Sequence, residues 1–197
     1  MALTRLTNSQ LARLANWKSV AEGFDRNEES CRAESDLIEP LISHLSALSN
    51  TEVRVIEKAE IGTYYSIFVF DSSRFPIREQ VGNDQFDEYR GVCIWLSLLA
   101  PFAACGRSRF HKFDPDAARL VFGSEPSISL EDVLDDPSPD NPLAQMAFSA
   151  IRQHGYTILK WSELERNLPS DIVPSEPIPG RQKSVYTLFD VLFQLGD

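Results

Sequence analysis

The fold turns on Tyr89–Phe110, "YRGVCIWLSLLAPFAACGRSRF". From Val92 to Leu99 both halves of the strand alternation are apolar, the pattern of a strand covered on both faces. Pro101 has no N–H to give a ladder and cannot continue a central strand. The chain is therefore expected to turn there and return through "FAACGRSRF". The reading is a buried hairpin at the middle of a sheet.

Working outward, "YYSIFVF" (Tyr64–Phe70) has the same doubly apolar character and reads as a second inner strand. "TEVRVIEKAE" sets Val53 and Val55 against Glu52 and Arg54, the alternation of a half-exposed strand. Between the two inner strands, "DSSRFPIREQVGNDQFDEYRG" (Asp71–Gly91) is polar and rich in turn formers. It reads as a long loop, a class of connection that more often carries function than a short one.

Helices are expected at both ends of the chain. "NSQLARLANWKSVAEG" places Leu11, Leu14, Ala15 and Val20 near helical spacing, with Gly23 beyond its end. "DLIEPLISHLSALSN" suggests a box of Asp36 with Glu39, a first-turn Pro40, a stripe of Leu37, Leu41, Leu45 and Leu48, and a stop at Asn50. Further on, Asp140 or Asn141 can cap a helix that opens at Pro142. Its apolar face is Leu143, Met146, Ala147, Ala150 and Ile151, followed by His154, and Gly155 stops it. "YTILKW" reads as a short strand. Ser162 with Glu165 reads as a box before "ELERNL", and "SVYTLFDVLFQLGD" as a strand or short helix docking the C-terminus. The expected architecture is α+β in one domain, residues 1–197: a mainly antiparallel β-sheet flanked by helices, two of them N-terminal, with a C-terminal helix–strand–helix block.

Asp and Glu number 29 against 19 Lys and Arg, a net charge of −10. Residues 121–197 hold twelve of the acids and five of the bases, so most of the excess is C-terminal. Such a surface is repelled by phosphate backbones and suits a basic protein partner. Within it, "SEPSISLEDVLDDPSPDNP" (Ser124–Pro142) carries six acids, four prolines and no base. It is expected to be a surface loop with at most one helical turn near Leu130–Leu134.

No motif for a phosphate loop, zinc protease, nucleophile elbow or redox dithiol occurs in the sequence. Cys31, Cys93 and Cys105 have no metal-like spacing and are expected to be reduced thiols in the cytoplasm. Cys93, in a buried strand, reads as a small hydrophobe. Cys105 could pair with His111 or His44 as nucleophile and base, but the spacing gives that pairing no support. His154 suits the C-terminal turn of its helix. Arg107, Arg109, His111, Lys112 and Arg119, with Phe102 and Phe110, form a basic cluster that could touch RNA. Against the net charge, pairing with the acidic loops is the better reading. No signal peptide or membrane span is expected, and no cofactor or metal.

"GVCIWLSLLAPFAACGRS" and the closing "VYTLFDVLFQLGD", with "IRQHGYTILKWSELERNLP", resemble bacterial immunity-like proteins of effector–immunity (polymorphic toxin) systems. The resemblance spans roughly residues 60–110 and 143–197. It implies a non-catalytic protein that binds a cognate toxin and blocks it, and it carries over no functional residues. Charge points to the contact surface: Asp84, Asp87 and Glu88 on the long loop, and Glu125, Glu131, Asp132, Asp135, Asp136 and Asp140 on the acidic segment. Trp95 and Trp161 would add hot spots where exposed. The alternatives are an effector chaperone or adaptor, and a hydrolase or nuclease using Asp84, Asp87 or Glu57.

Overall fold

Strand alternation puts the odd residues Tyr65, Ile67 and Val69 on one face of the sheet, and Tyr64, Phe68 and Phe70 on the other; all six are buried. In the computed structural model, which describes residues 6–22, 24, 38–57, 63–74, 76–81, 84–113, 132–174 and 186–193, helices cover both faces. The elements in chain order are α1 (Asn8–Ala15), α2 (Glu39–Ser46), β1 (Thr51–Glu57), β2 (Tyr64–Asp71), β3 (Ile77–Val81) and β4 (Asp84–Ser97). There follow β5 (Phe102–Phe113), α3 (Pro142–Gln153), β6 (Thr157–Ile158), α4 (Trp161–Leu164) and α5 (Leu188–Leu192). The fold is α+β, a six-stranded, mostly antiparallel sheet of order β1-β2-β4-β5-β6, with β3 also paired to β4.

The β4–β5 hairpin runs from Leu96↔Ala103 to Phe86↔Phe113 and lies at the centre, as the doubly apolar pattern requires. β4 is longer than either neighbour on its other side and serves both in turn. Its second half pairs with β2, ending at Phe70↔Gly91; its first half pairs with β3, beginning at Glu88↔Ile77. Gly91 stands where one partner hands over to the next. A Cβ there would run into the Val69 carbonyl and the Phe68 ring, so only glycine lets the strands close at that point.

On the first face Ile67, Val69, Val92, Ile94, Leu96, Ala103 and Cys105 pack against Leu41 and Leu45 of α2 and Ala144, Ala147, Phe148 and Ile151 of α3. On the second, Tyr64, Phe102 and Ala104 meet Leu11 and Leu14 of α1, Leu164 of α4, and Leu188, Val191 and Leu192 of α5. Trp95 is half-buried there among Tyr64, Phe189 and Phe193, with ring centroids 4.7 to 5.7 Å away. The C-terminus docks as a helix. Thr187 and Asp190 cap it reciprocally, and Thr63 Oγ1 donates to the Leu192 carbonyl at 3.1 Å.

Several expectations are corrected. The first helix stops at Ala15, eight residues before Gly23. The Asn16 amide turns back onto the Ala12 carbonyl, and Trp17 enters the left-handed region at φ 56°, so Val20 lies outside the helix. α2 is described from Glu39, with Pro40 in its first turn; Asp36 and Leu37, and with them the Asp36–Glu39 box, lie outside the described residues. α2 ends at Ser46 with Ala47 at its C-cap, so Asn50 does not stop the helix; it stands at φ 59° just ahead of β1.

The long loop at 71–91 is mostly sheet: it contains β3 and the first half of β4. Val81 pairs with Asp84, so only Gly82-Asn83 separates two antiparallel strands, the spacing of a two-residue hairpin. α4 begins two residues earlier than the Ser162–Glu165 box would place it. Glu163 Oε2 accepts from the Lys160 N–H at 2.9 Å, and Asp135 Oδ1, remote in sequence, accepts from the Trp161 N–H at 2.6 Å. α3 forms as read: Asn141 Oδ1 accepts from the Ala144 N–H, Pro142 opens the first turn, and Gly155 follows at φ 83°.

Candidate functional site: a polar groove beyond the helical layer

The first face of the sheet does not stay apolar. Along β4 the same-face series is Glu88, Arg90, Val92, Ile94, Leu96; along β5 it is Arg109, Arg107, Cys105, Ala103. Helix α3 covers the apolar part and begins at Pro142. Past that point α3 no longer covers the sheet, and the side chains of this face become charged. The result is a groove of about 1050 Å³ between the sheet, the start of α3 and the segment leading into it.

Four arginines reach this groove: Arg74 after β2, Arg90 on β4, and Arg107 and Arg109 on β5. Three carboxylates also line it, Asp71, Asp132 and Asp140, while Val92, Leu143 and Met146 form an apolar stretch. Asp71 is engaged locally. Its carboxylate accepts from Ser73 and pairs with Arg74 at 3.1 Å, and these hydrogen bonds hold its pKa below the usual value.

Beneath the arginines lies Glu88, whose side chain is fully enclosed. Arg90 Nε donates to its Oε1 at 2.6 Å and Arg109 Nη1 to its Oε2 at 3.4 Å. Arg90 and Arg109 face each other directly across the ladder, an arrangement that repels unless an anion sits between them. Glu88 is that anion. Each arginine side chain is still about two-thirds exposed, at 67% and 66%. Glu88 thus fixes two cationic side chains on the floor of the groove, and its burial removes it from the expected contact surface. Arg107 lies exposed beside them with no ion pair among the described residues. Within the basic cluster Arg109 pairs with an acid, Glu88; Arg119 and the side chains of His111 and Lys112 lie outside what the structure describes.

The other expected contacts scatter. Asp84 opens β4 opposite Val81, and Asp87 pairs with Arg78 of β3 at 3.5 Å, so both belong to a strand and not to a loop. Glu125 and Glu131 lie outside the described residues. Asp132 and Asp140 come together on the groove, both exposed. Asp135 and Asp136 sit beside the half-buried Trp161, where Asp135 caps α4 and Asp136 meets Lys160 Nζ at 3.1 Å. The segment carrying them is fixed to the sheet. Val133 bridges Gly106, and the Leu134 N–H donates to the Cys105 carbonyl at 2.8 Å.

Two constellations escaped sequence reasoning. The arginine floor is legible only once β4 and β5 are put in register, because Glu88, Arg90, Arg107 and Arg109 are split between two segments. The second is His44 with His154: Nδ1 of the one lies 3.1 Å from Nε2 of the other, joining the C-terminal ends of α2 and α3. Burial, and then the neighbouring His44, lower the pKa of His154.

Cys93 and Cys105 are buried, and Cys31 lies outside the described residues. Burial pushes Cys93 up to about 11 and raises Cys105 further, away from the nucleophilic thiolate form. Among the described residues, no three His, Cys, Asp or Glu side chains gather as a metal-binding group, and no helix is long and apolar enough to cross a membrane. Compared with known proteins, this chain matches no family model, no curated protein and no solved structure.

Proposed function

We propose that this protein is a cytoplasmic, non-catalytic inhibitor of the bacterial immunity type, which binds a basic toxin or effector domain and blocks it by protein–protein contact. The observation that carries the reading is the exposed acidic rim of residues 132–140. Asp132, Asp136 and Asp140 project from a segment pinned to β5 through Val133 and Leu134 and to α4 through Asp135. Anchoring means that little conformational freedom is lost when a partner binds. Carboxylates held in fixed positions on a chain of net charge −10 steer a cationic partner into contact and reject acidic ones. The Asp136–Lys160 pair is exposed on both sides and screened, so it takes little from the rim.

The test is co-expression with the product of the adjacent gene. The proposal expects rescue from that product's toxicity and a 1:1 complex whose association slows steeply with added salt. Changing Asp132, Asp136 and Asp140 together to Lys should slow association by at least tenfold while the melting curve stays in place. Binding without rescue would favour a chaperone or adaptor. Absence of both rescue and complex would remove the inhibitor reading.

A further inference from the structure

The groove and the acidic rim ask for different ligands. The rim suits a cation, but the groove floor presents Arg107 and Arg109 with Arg90 beside them, oriented from below by a carboxylate that a ligand cannot reach. Arg109 gives only Nη1 to Glu88, and the rest of its fork makes no other ion pair among the described residues. Two clamped guanidiniums and a third without an ion pair provide planar, directional donors suited to phosphate oxygens.

The carboxylates on the opposite lip do not make the groove simply cationic. With Glu88 behind the floor, four arginines meet four acids there. A plain anion would gain from the floor and lose at Asp132 and Asp140. A molecule with a phosphate at one end and hydroxyls at the other gains from both, because carboxylates accept strongly from hydroxyl groups. Leu143 and Met146, backed by the buried Val92, add an apolar wall against which a ring can lie. The volume, about 1050 Å³, is that of a pocket for a ligand the size of a mononucleotide.

We propose that the groove between β4–β5 and the start of α3 binds a small phosphorylated, hydroxyl-rich molecule, a sugar phosphate or a nucleotide. The phosphate lies on Arg107, Arg109 and Arg90, and the hydroxyls on Asp140 and Asp132. This site stands independently of the effector-blocking reading, and its test needs no effector.

Titration calorimetry of the full chain against ribose 5-phosphate, AMP, inorganic phosphate and adenosine separates the contributions. Ribose 5-phosphate and AMP should each saturate one site per chain, inorganic phosphate should bind more weakly, and adenosine should not register. AMP tighter than ribose 5-phosphate identifies a nucleotide site; equal affinities identify a sugar-phosphate site. Arg107→Ala and Arg109→Ala should each weaken both organic phosphates by roughly tenfold or more, the worth of a charge-assisted hydrogen bond. Asp140→Asn should weaken them while tightening inorganic phosphate, which loses a repelling carboxylate. Arg166→Ala, an exposed arginine outside the groove, should change nothing. Amide shifts at Gly91 and Ser108 on titrating the unmutated protein locate the ligand even if a variant folds poorly. Saturation by none of the probes, shifts confined to other regions, or equal binding by folded arginine variants would overturn the site. Inorganic phosphate binding as tightly as ribose 5-phosphate would overturn the role of the hydroxyls.

Discussion

The two ends of the β4–β5 hairpin are made of the same strands in the same register, and they do opposite things. Near the turn, Val92, Ile94, Leu96, Ala103 and Cys105 lie under helices and are closed to water. Two to four residues further from the turn, the same face carries Arg90, Arg107 and Arg109 exposed, with Glu88 enclosed beneath them. The backbone pattern does not change between them; the cover does, because α3 begins at Pro142 and reaches no further. Stability should be concentrated at the covered end, and binding capacity at the uncovered one.

Phe148→Ala breaks the comparison most severely. The ring is 1% exposed in the cluster between α3 and the sheet, and its loss should cost about 3–5 kcal/mol in a denaturant melt. An unchanged midpoint would mean that α3 does not seal that end. At the uncovered end, Glu88→Ala should cost less, about 2 kcal/mol, since it removes charge-assisted hydrogen bonds but leaves arginines able to turn toward solvent. Glu88→Gln keeps the shape while removing the charge, and should fall between Glu88→Ala and the unmutated protein. If Glu88→Ala proved as stable as the original, the carboxylate would not be holding Arg90 and Arg109 together.

The covered end was legible in the sequence and the uncovered end was not, for a physical reason. Burial on both faces of a strand leaves a local mark, a run such as "VCIWLSLL" with no polar phase, and capping leaves another, the Asn141-Pro142 opening of α3. These marks gave the hairpin, its central place and the helix α3, but not which part of the sheet that helix covers. A groove floor has no such local mark. Arg90 and Arg109 are nineteen positions apart and become neighbours only through the register of the hairpin. Charge composition misled as well: Glu88 looked like part of a solvated acidic loop because "NDQFDEYRG" is polar and lacks a strand's alternation, and only the Gly82-Asn83 pair before it hinted at a hairpin. His44 and His154 likewise meet only when two helices separated in sequence by β1–β5 lie side by side.

A smaller effect sharpens where the cover begins. Asn141 Oδ1 accepts from the Ala144 N–H at 3.1 Å at the edge of the groove. Asn141→Ala should cost about 1 kcal/mol and fray the first turn of α3, faster amide exchange at Ala144 being its signature. Exchange unchanged at Ala144 would show that Pro142 alone sets the boundary.

The smallest effect lies at the far end of the same helix, where His154 leans on His44. Folding lowers the pKa of His154 below its ordinary value of 6.5, through burial first and the neighbouring imidazole second. The folded protein therefore binds fewer protons than the unfolded chain over the interval between the folded value and 6.5, and stability rises with pH across it. The contribution is whole above 6.5 and is lost as acidity increases toward the folded value. Both rings are partly exposed, so the loss should be a modest shift of the denaturation midpoint between pH 7.5 and 5.5. His154→Gln, which cannot take up the proton, should flatten that shift, and His44→Gln should reduce it in part by removing the second cause. A midpoint whose pH dependence is the same in all three proteins would place the sensitivity elsewhere, and the contact between the ends of α2 and α3 would then be a matter of packing alone.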